Sequence, residues 1–440
     1  MASFTLELIL PTWKAAKWEK GLRVPELTLP VLAALTPPGI DVILTEEEVE
    51  DVVYKSGVDL VAISYMTPMA ARAYEIADEY RRRGAKVVLG GIHASALPEE
   101  AGRHADAIVI GEAEKIWASV LEDFRTGRMK GVYRAAAFSD LRGLPTPRRD
   151  LLKRAMTFSP YSIQTTRGCP FGCNFCSVTR FFGGSFRSRP VEEVVREIET
   201  TGKKTWLFID DNIIGNEVYA KQLFRAIAPL GIRWAGQSTT LLSKNAELLD
   251  LAARSGCVGL FIGFESLNEQ SMREANKGFN KVRDYEEGIR RFHDRGILLL
   301  ASFMFGFDHD DTSVFERTVE FLIRNKVAAA SLPVLVPYPG TNFYRRMEEE
   351  GRILTRDWSL YDCDHAVFRP KLMEPEVLEE GARRAIAECY SRSSILSRFA
   401  GNWRHPIIYA MVNASYRAKN REILSSAAGT SERGRGSSRP

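Results

Sequence analysis

Apolar positions in the amino-terminal third fall into short unbroken runs, separated by stretches with helical spacing. Residues 4–10 (Phe-Thr-Leu-Glu-Leu-Ile-Leu) read as a buried strand, Asp41–Leu44 as a second and Leu60–Ser64 as a third. Leu27–Leu35 reads as a helix that ends before Pro37-Pro38-Gly39. Pro68–Arg83 repeats apolar residues at helical intervals (Ala70, Ala73, Ile76, Ala77, Tyr80) and stops at Gly84. Lys86–Leu89 and Ala107–Ile110 add two more strands. Strands alternating with helices predict a parallel, doubly wound sheet. Ligands of such sheets sit beyond the carboxyl ends of the strands. Here those ends carry Ser64-Tyr65-Met66-Thr67, Gly90-Gly91-Ile92-His93 and Gly111-Glu112. Small residues at these places let a large flat ligand approach the backbone.

A second alternation begins at Tyr161. Strands are predicted at Tyr161–Thr165, Thr205–Ile209, Ile232–Ala235, Val258–Phe264, Leu298–Phe305 and Ala330–Val336. Helices are predicted at Val191–Thr200, Ala246–Arg254 and Tyr285–Arg295. Six β/α units make a partial barrel with polar residues at the strand carboxyl ends, where barrel sites are built. The fold class is therefore α/β: a doubly wound, Rossmann- or flavodoxin-like domain, a partial (β/α)6 barrel and a helical carboxyl-terminal cap. The expected divisions are 1–130 for the first domain, 131–156 for an Arg-, Pro- and Gly-rich linker, and 157–345 for the barrel. Residues 346–424 are expected to cap the barrel mouth, and 425–440, rich in Ser, Gly and Arg, to form a disordered tail.

Composition narrows this little. The chain has 440 residues, 45% of them hydrophobic and 26% charged, ordinary values for a globular protein of two or three domains. A net charge of +4 gives no reason to expect nucleic acid. No apolar window is long enough to span a bilayer, and the start lacks the pattern of a signal peptide. The six cysteines do not form a disulfide framework, which favours a reducing cytoplasm.

Three of those cysteines change the picture. Cys169, Cys173 and Cys176 lie in eight residues with C-x3-C-x2-C spacing, directly after the first barrel strand. A thiolate trio on one loop is a metal site. Three thiolates are one short of closing a tetrahedral zinc or a four-cysteine cluster. A zinc knuckle borrowing a distant ligand such as Cys257 stays open as an alternative. Gly168 and Gly172 suit a loop that folds closely around its metal.

This spacing, with Phe175 before the third cysteine, resembles the cluster loop of radical S-adenosylmethionine (SAM) enzymes. The resemblance implies a [4Fe–4S] cluster on Cys169, Cys173 and Cys176. SAM is chelated at the open iron and cleaved to a 5′-deoxyadenosyl radical. It extends to the strand ends. Asp210 and Asp211 fall where SAM's amine is met, and Glu265 where a carboxylate reaches its amine or ribose. Lys277 falls where a base pairs SAM's carboxylate. Gln237 and Ser238 belong to the same set, and Phe305-Gly-Phe is similar to the segment that stacks near adenine. The first domain looks like the cobalamin-binding domain that precedes the barrel in one large subfamily. Ser64, Gly90 and Gly91 match the serine and glycine pair that house the nucleotide tail, and Gly111 stands at the next strand end. The Asp-x-His-x-x-Gly motif that brings histidine to cobalt is absent between Leu10 and Gly21. No protein histidine on cobalt is therefore expected, and His93 comes from a different loop.

The resemblance implies a cobalamin-dependent radical SAM enzyme that methylates an unactivated carbon. The expected substrate is a small molecule (a natural product, lipid or tetrapyrrole), and the expected electron source an external reductase such as flavodoxin or ferredoxin. Oxidation or cyclisation without methyl transfer is the alternative within the class. A tRNA-modifying enzyme would carry further cysteines before Cys169, and a cluster-bearing sensor or electron carrier would need a fourth ligand. The pair Cys363 and His365 is read as a satisfied surface loop, and Ile407–Tyr416 as packing.

Overall fold

The computed structural model describes residues 4–12, 25–153, 161–421 and 423–424. Six strands build the first sheet: β1 (Thr5–Leu10), β2 (Asp41–Glu46), β3 (Leu60–Ser64), β4 (Lys86–Gly90), β5 (Ala107–Ile110) and β6 (Val132–Arg134). Their order is β2-β1-β3-β4-β5-β6 and every pairing is parallel. Alternate residues explain why the runs are mostly apolar, the buried Glu7 of β1 being an exception. Leu6, Leu8, Leu60 and Ala62 enter one core, while Ile9, Val61 and Ile63 enter another on the opposite face. A sheet covered on both sides has no polar face to show. The strand β6 lies in the stretch expected to be linker, so the sheet continues past residue 130.

The second sheet contains β7 (Tyr161–Ile163), β10 (Thr205–Phe208), β11 (Arg233–Ser238), β12 (Cys257–Glu265), β13 (Leu298–Phe303) and β14 (Ala329–Ser331). They pair in chain order, all parallel. A small antiparallel pair, β8 (Thr166–Arg167) and β9 (Arg187–Ser188), brackets the cysteine loop. Trp206, Phe208, Trp234, Leu260, Ile262, Leu299 and Ala301 face the helices in one large core. The alternate residues Leu207, Ala235, Gln237, Phe261 and Leu300 take the inner face and stay partly or fully exposed. That inner wall is a partial barrel's binding surface. The last strand is shorter than its apolar run because Pro333 has no N–H for the ladder. Pairing resumes beyond it, where Phe305 N donates to Pro333 O and Leu335 N to Phe305 O.

The carboxyl-terminal helices do not close the mouth as expected. Leu378, Ala382, Ala385 and Cys389, from the helix Pro375–Cys389, join the outer core. Tyr390 then covers the free edge of β14: its hydroxyl donates to Ala330 O (2.6 Å) and accepts from Ala330 N (3.0 Å). An unpaired outer strand needs such cover. The segment that reaches the first domain is Trp358–Leu360 with Tyr361. Trp358 Nε1 donates to Glu100 Oε1 (2.9 Å), and Trp358 and Tyr361 are buried in the first domain's core. The 425–440 tail, residues 13–24 and the end of the linker lie outside the described residues.

Candidate functional site

The cysteine loop is anchored from both sides. Gly168 N donates to Asp211 Oδ2 (2.8 Å), fixing the loop's start to the end of β10. Asn174 N donates to Ala275 O (3.0 Å), Asn174 Nδ2 to Glu274 O (2.7 Å) and Asn276 Nδ2 to Gly172 O (2.7 Å). Phe171 stacks on Phe279 with centroids 4.1 Å apart, and Phe175 packs edge-on to Phe307. These contacts pin the backbone and leave Cys169, Cys173 and Cys176 as free, partly exposed thiols. Three thiols on one loop suit the corners of a cluster, where each holds a different iron. Asn212 Nδ2 lies 3.8 Å from Cys169 Sγ. Burial pushes the Cys173 thiol up to about 12, against the pull of Lys277. A buried thiol of that kind ionises readily only with a metal to receive it.

Beside the loop, Lys277 Nζ donates to Glu265 Oε1 at 2.5 Å, and both side chains are buried. Burial works against the Lys277 charge, but Glu265 and the nearby thiols outweigh it and raise its pKa. The pair lies over Gly263. A Cβ there would come within 2.0 Å of Glu265 Oε1 and 2.7 Å of Lys277 Nζ, so only glycine leaves the room. Glu265 itself sits at φ +68°, a left-handed conformation that costs energy for a side chain of this kind.

The other residues expected at the SAM site differ in burial and in their partners. Asp210 is fully buried, and its Oδ1 accepts from the backbone and hydroxyls of Thr165 and Thr166. Burial raises its carboxyl to about 6. Through Oδ1 it ties β7 to β10, while its Oδ2 is buried without a hydrogen-bond partner. Asp211 is also largely buried and holds the loop through Gly168. Ser238 is buried, with only the weak contact to Thr239 O at 3.4 Å. Gln237 is exposed on the inner face. Phe305 and Phe307 are buried, Phe305 against Phe315, so neither ring is free to stack on a base.

At the first sheet, Ser64, Gly90, Gly91 and Gly111 stand together at the carboxyl ends of β3, β4 and β5. Gly91 is held at φ +98°, and a Cβ would meet Tyr65 O at 2.6 Å. Gly91 is thus required by its close approach to Tyr65, whereas a Cβ on Gly90 would make only ordinary contact with Val109 at 3.7 Å. Gly111 N donates to Ser95 Oγ (2.9 Å), and a Cβ on Gly111 would meet nothing within 4 Å. This open space beside a strand end fits a large cofactor. His93 is buried, with Nδ1 3.2 Å from Thr67 Oγ1 and Nε2 3.4 Å from Glu100 Oε1.

The two carboxyl ends meet. The short helix Ile92–Ala96 touches the helix Ser177–Phe181 that follows the third cysteine. Glu112, at the end of β5, accepts from Arg167 Nη1 (2.7 Å), Arg187 Nη1 (2.8 Å) and Ser139 N (2.7 Å). Arg167 also donates to Glu114 (2.5 Å). Burial alone would raise the Glu112 carboxyl, but the Arg187 and Arg167 hydrogen bonds hold it below the usual range. Sequence reading missed this clamp, because its members lie 55 and 75 residues apart. Glu112→Ala takes the shared carboxylate from buried Arg167 and half-buried Arg187. The expected result is a thermal midpoint lower by about 5 °C or more; an unchanged midpoint would show that the clamp carries no load.

Comparison with known proteins agrees with these two halves. Residues 22–121 match the B12 binding domain and residues 163–322 the radical SAM superfamily. The bacteriochlorophyllide d C-12(1)-methyltransferase of Chlorobaculum tepidum is 34% identical over 392 residues, covering 86% of both chains. The bacteriochlorophyllide d C-8(2)-methyltransferase of the same organism is 31% identical over 408 residues, 86% of this chain and 88% of that one. The solved radical SAM methyltransferase TsrM of Kitasatospora setae, with cobalamin and a [4Fe–4S] cluster bound, has the same fold. Its TM-score is 0.69 at 17% identity, over 97% of this chain and 100% of that chain.

Proposed function

The chain belongs to the radical SAM superfamily, in the group with a B12-binding domain ahead of the barrel, and we propose that it methylates an unactivated carbon on the periphery of a tetrapyrrole. When bound, the cluster supplies the electron that splits SAM, and cobalamin supplies the methyl group that the substrate carbon receives. The observation that carries the reading is the meeting of the carboxyl ends. A methyl carrier on the first sheet and a radical source at the barrel mouth then address one substrate between them.

The chain's own residues have distinct tasks. Cys169, Cys173 and Cys176 hold three irons and leave the fourth open to SAM. Lys277 and Glu265, buried and paired with each other, would meet SAM's carboxylate and amino group. Asp211 holds the loop in place through the Gly168 N–H. Gln237, Phe261 and Leu300 on the inner wall give one amide among apolar surface, suited to an adenine and a flat substrate. Ser64, Gly90, Gly91 and Gly111 border the corrinoid. The electron comes from an external carrier of the flavodoxin or ferredoxin type, and the free thiols suit work in a reducing cytoplasm.

The tetrapyrrole is supported by the two relatives at 34% and 31% identity, both named for bacteriochlorophyllide d. Anaerobically reconstituted full-length protein, given SAM, reduced flavodoxin and a bacteriochlorophyllide, is expected to release 5′-deoxyadenosine and a product heavier by one CH2 unit. 5′-Deoxyadenosine with a product that gains no carbon would overturn methyl transfer.

A further inference from the structure

The carboxyl-terminal helices carry a surface that the site does not use. Leu396, Phe399, Trp403 and Ile407 are 75%, 39%, 63% and 73% exposed. They lie within twelve residues of chain, on two successive helices, Arg392–Phe399 and Pro406–Lys419, and the turn between them. The platform beneath is rigid. Arg398 is buried and donates to Val327 O (2.9 Å), Ala328 O (2.7 Å) and Cys389 O (2.8 Å). Asn402 Nδ2 donates to Lys326 O (2.7 Å) and Arg404 Nη1 to Asp294 O (2.8 Å). Large apolar side chains held this firmly in water mark an interaction surface.

Charge selects the occupant. Residues 390–421 contain six Lys or Arg and no Asp or Glu, in a chain whose net charge is only +4. Arg392 and Arg404 flank these side chains, Lys419 and Arg421 extend the basic face, and all four are exposed. A second copy docked by two-fold symmetry would press these like charges together. A bilayer with anionic headgroups answers both features, because Trp and aliphatic side chains enter the interface while guanidiniums meet phosphate. We propose that this face docks the enzyme peripherally on an anionic lipid surface. Among the described residues no helix is long and apolar enough to cross a membrane, so the contact is interfacial. The turn between the helices packs on Gly296 and Lys326, at the amino ends of β13 and β14. Docking there leaves the mouth, at the opposite ends of the strands, clear for an apolar substrate.

The test uses full-length protein and vesicles of phosphatidylcholine alone or mixed equally with phosphatidylglycerol. Cosedimentation is expected with the mixed vesicles, about tenfold weaker with phosphatidylcholine, and reduced by salt. The double variant Leu396→Glu/Trp403→Glu, at exposed positions that folding does not need, is expected to bind about 30-fold more weakly. Equal binding by the variant, or equal binding to both vesicle types, would overturn the proposal. So would a dimer seen by light scattering that the double variant converts to monomer, since the occupant would then be a second copy.

Discussion

Cys173→Ala is expected to abolish 5′-deoxyadenosine formation, a loss of more than about 10³-fold under reducing conditions. Three thiolates are the fewest that hold a cluster with one open iron, and two leave it labile. The native thiol lies near Lys277 and the other two cysteines. Iron content and deoxyadenosine, measured together after anaerobic reconstitution, check this. Cys363→Ala is the control: that thiol lies 3.2 Å from Tyr338 Oη in a separate loop, and its loss should leave both readings near the native value. Full turnover by Cys173→Ala would remove the cluster assignment.

Lys277→Met is expected to weaken SAM binding by about 30-fold or more, raising KM for SAM further than it lowers kcat. The substitution keeps the length of the side chain while stranding the buried carboxylate of Glu265. Adding Glu265→Gln to it removes that stranded charge. Thermal stability should then recover in part while SAM affinity does not, since neither end of the zwitterion has its partner. If the double variant binds SAM as the native protein does, the pair is a structural salt bridge and nothing more. Titration calorimetry with SAM on cluster-loaded protein separates the two outcomes.

Much of the fold was legible because its strands are buried on both faces. Leu60–Ser64, Ala107–Ile110 and the helix Ala246–Arg254 have the bounds that their apolar patterns predict. The edges were not legible. Val132–Arg134 has one buried residue between two exposed ones and so resembles a linker. Ala330–Val336 looks continuous until Pro333 interrupts its hydrogen bonding. The site divided along a similar line. The cysteine spacing is local and specific, so it could be read directly. Adjacent acids cannot be told apart by spacing: Asp210 and Asp211 share a strand end, yet four donors from Thr165 and Thr166 claim Asp210 alone. Glu265 and Lys277 were assigned separately to SAM, and the structure pairs them with each other. Asn276, at φ +54°, gave a faint signal, since asparagine tolerates the left-handed turn that brings it to Gly172. The Glu112 clamp gave none, because long-range charge pairing leaves no periodic trace.

The central claim is a cluster with one iron left open for SAM, and the electron paramagnetic resonance spectrum of the reduced, reconstituted protein tests it most directly. A [4Fe–4S]⁺ signal whose g values move when SAM is added, and which is lost in Cys173→Ala, is the predicted result. A signal indifferent to SAM, or protein that holds zinc with no iron or sulfide, would contradict it.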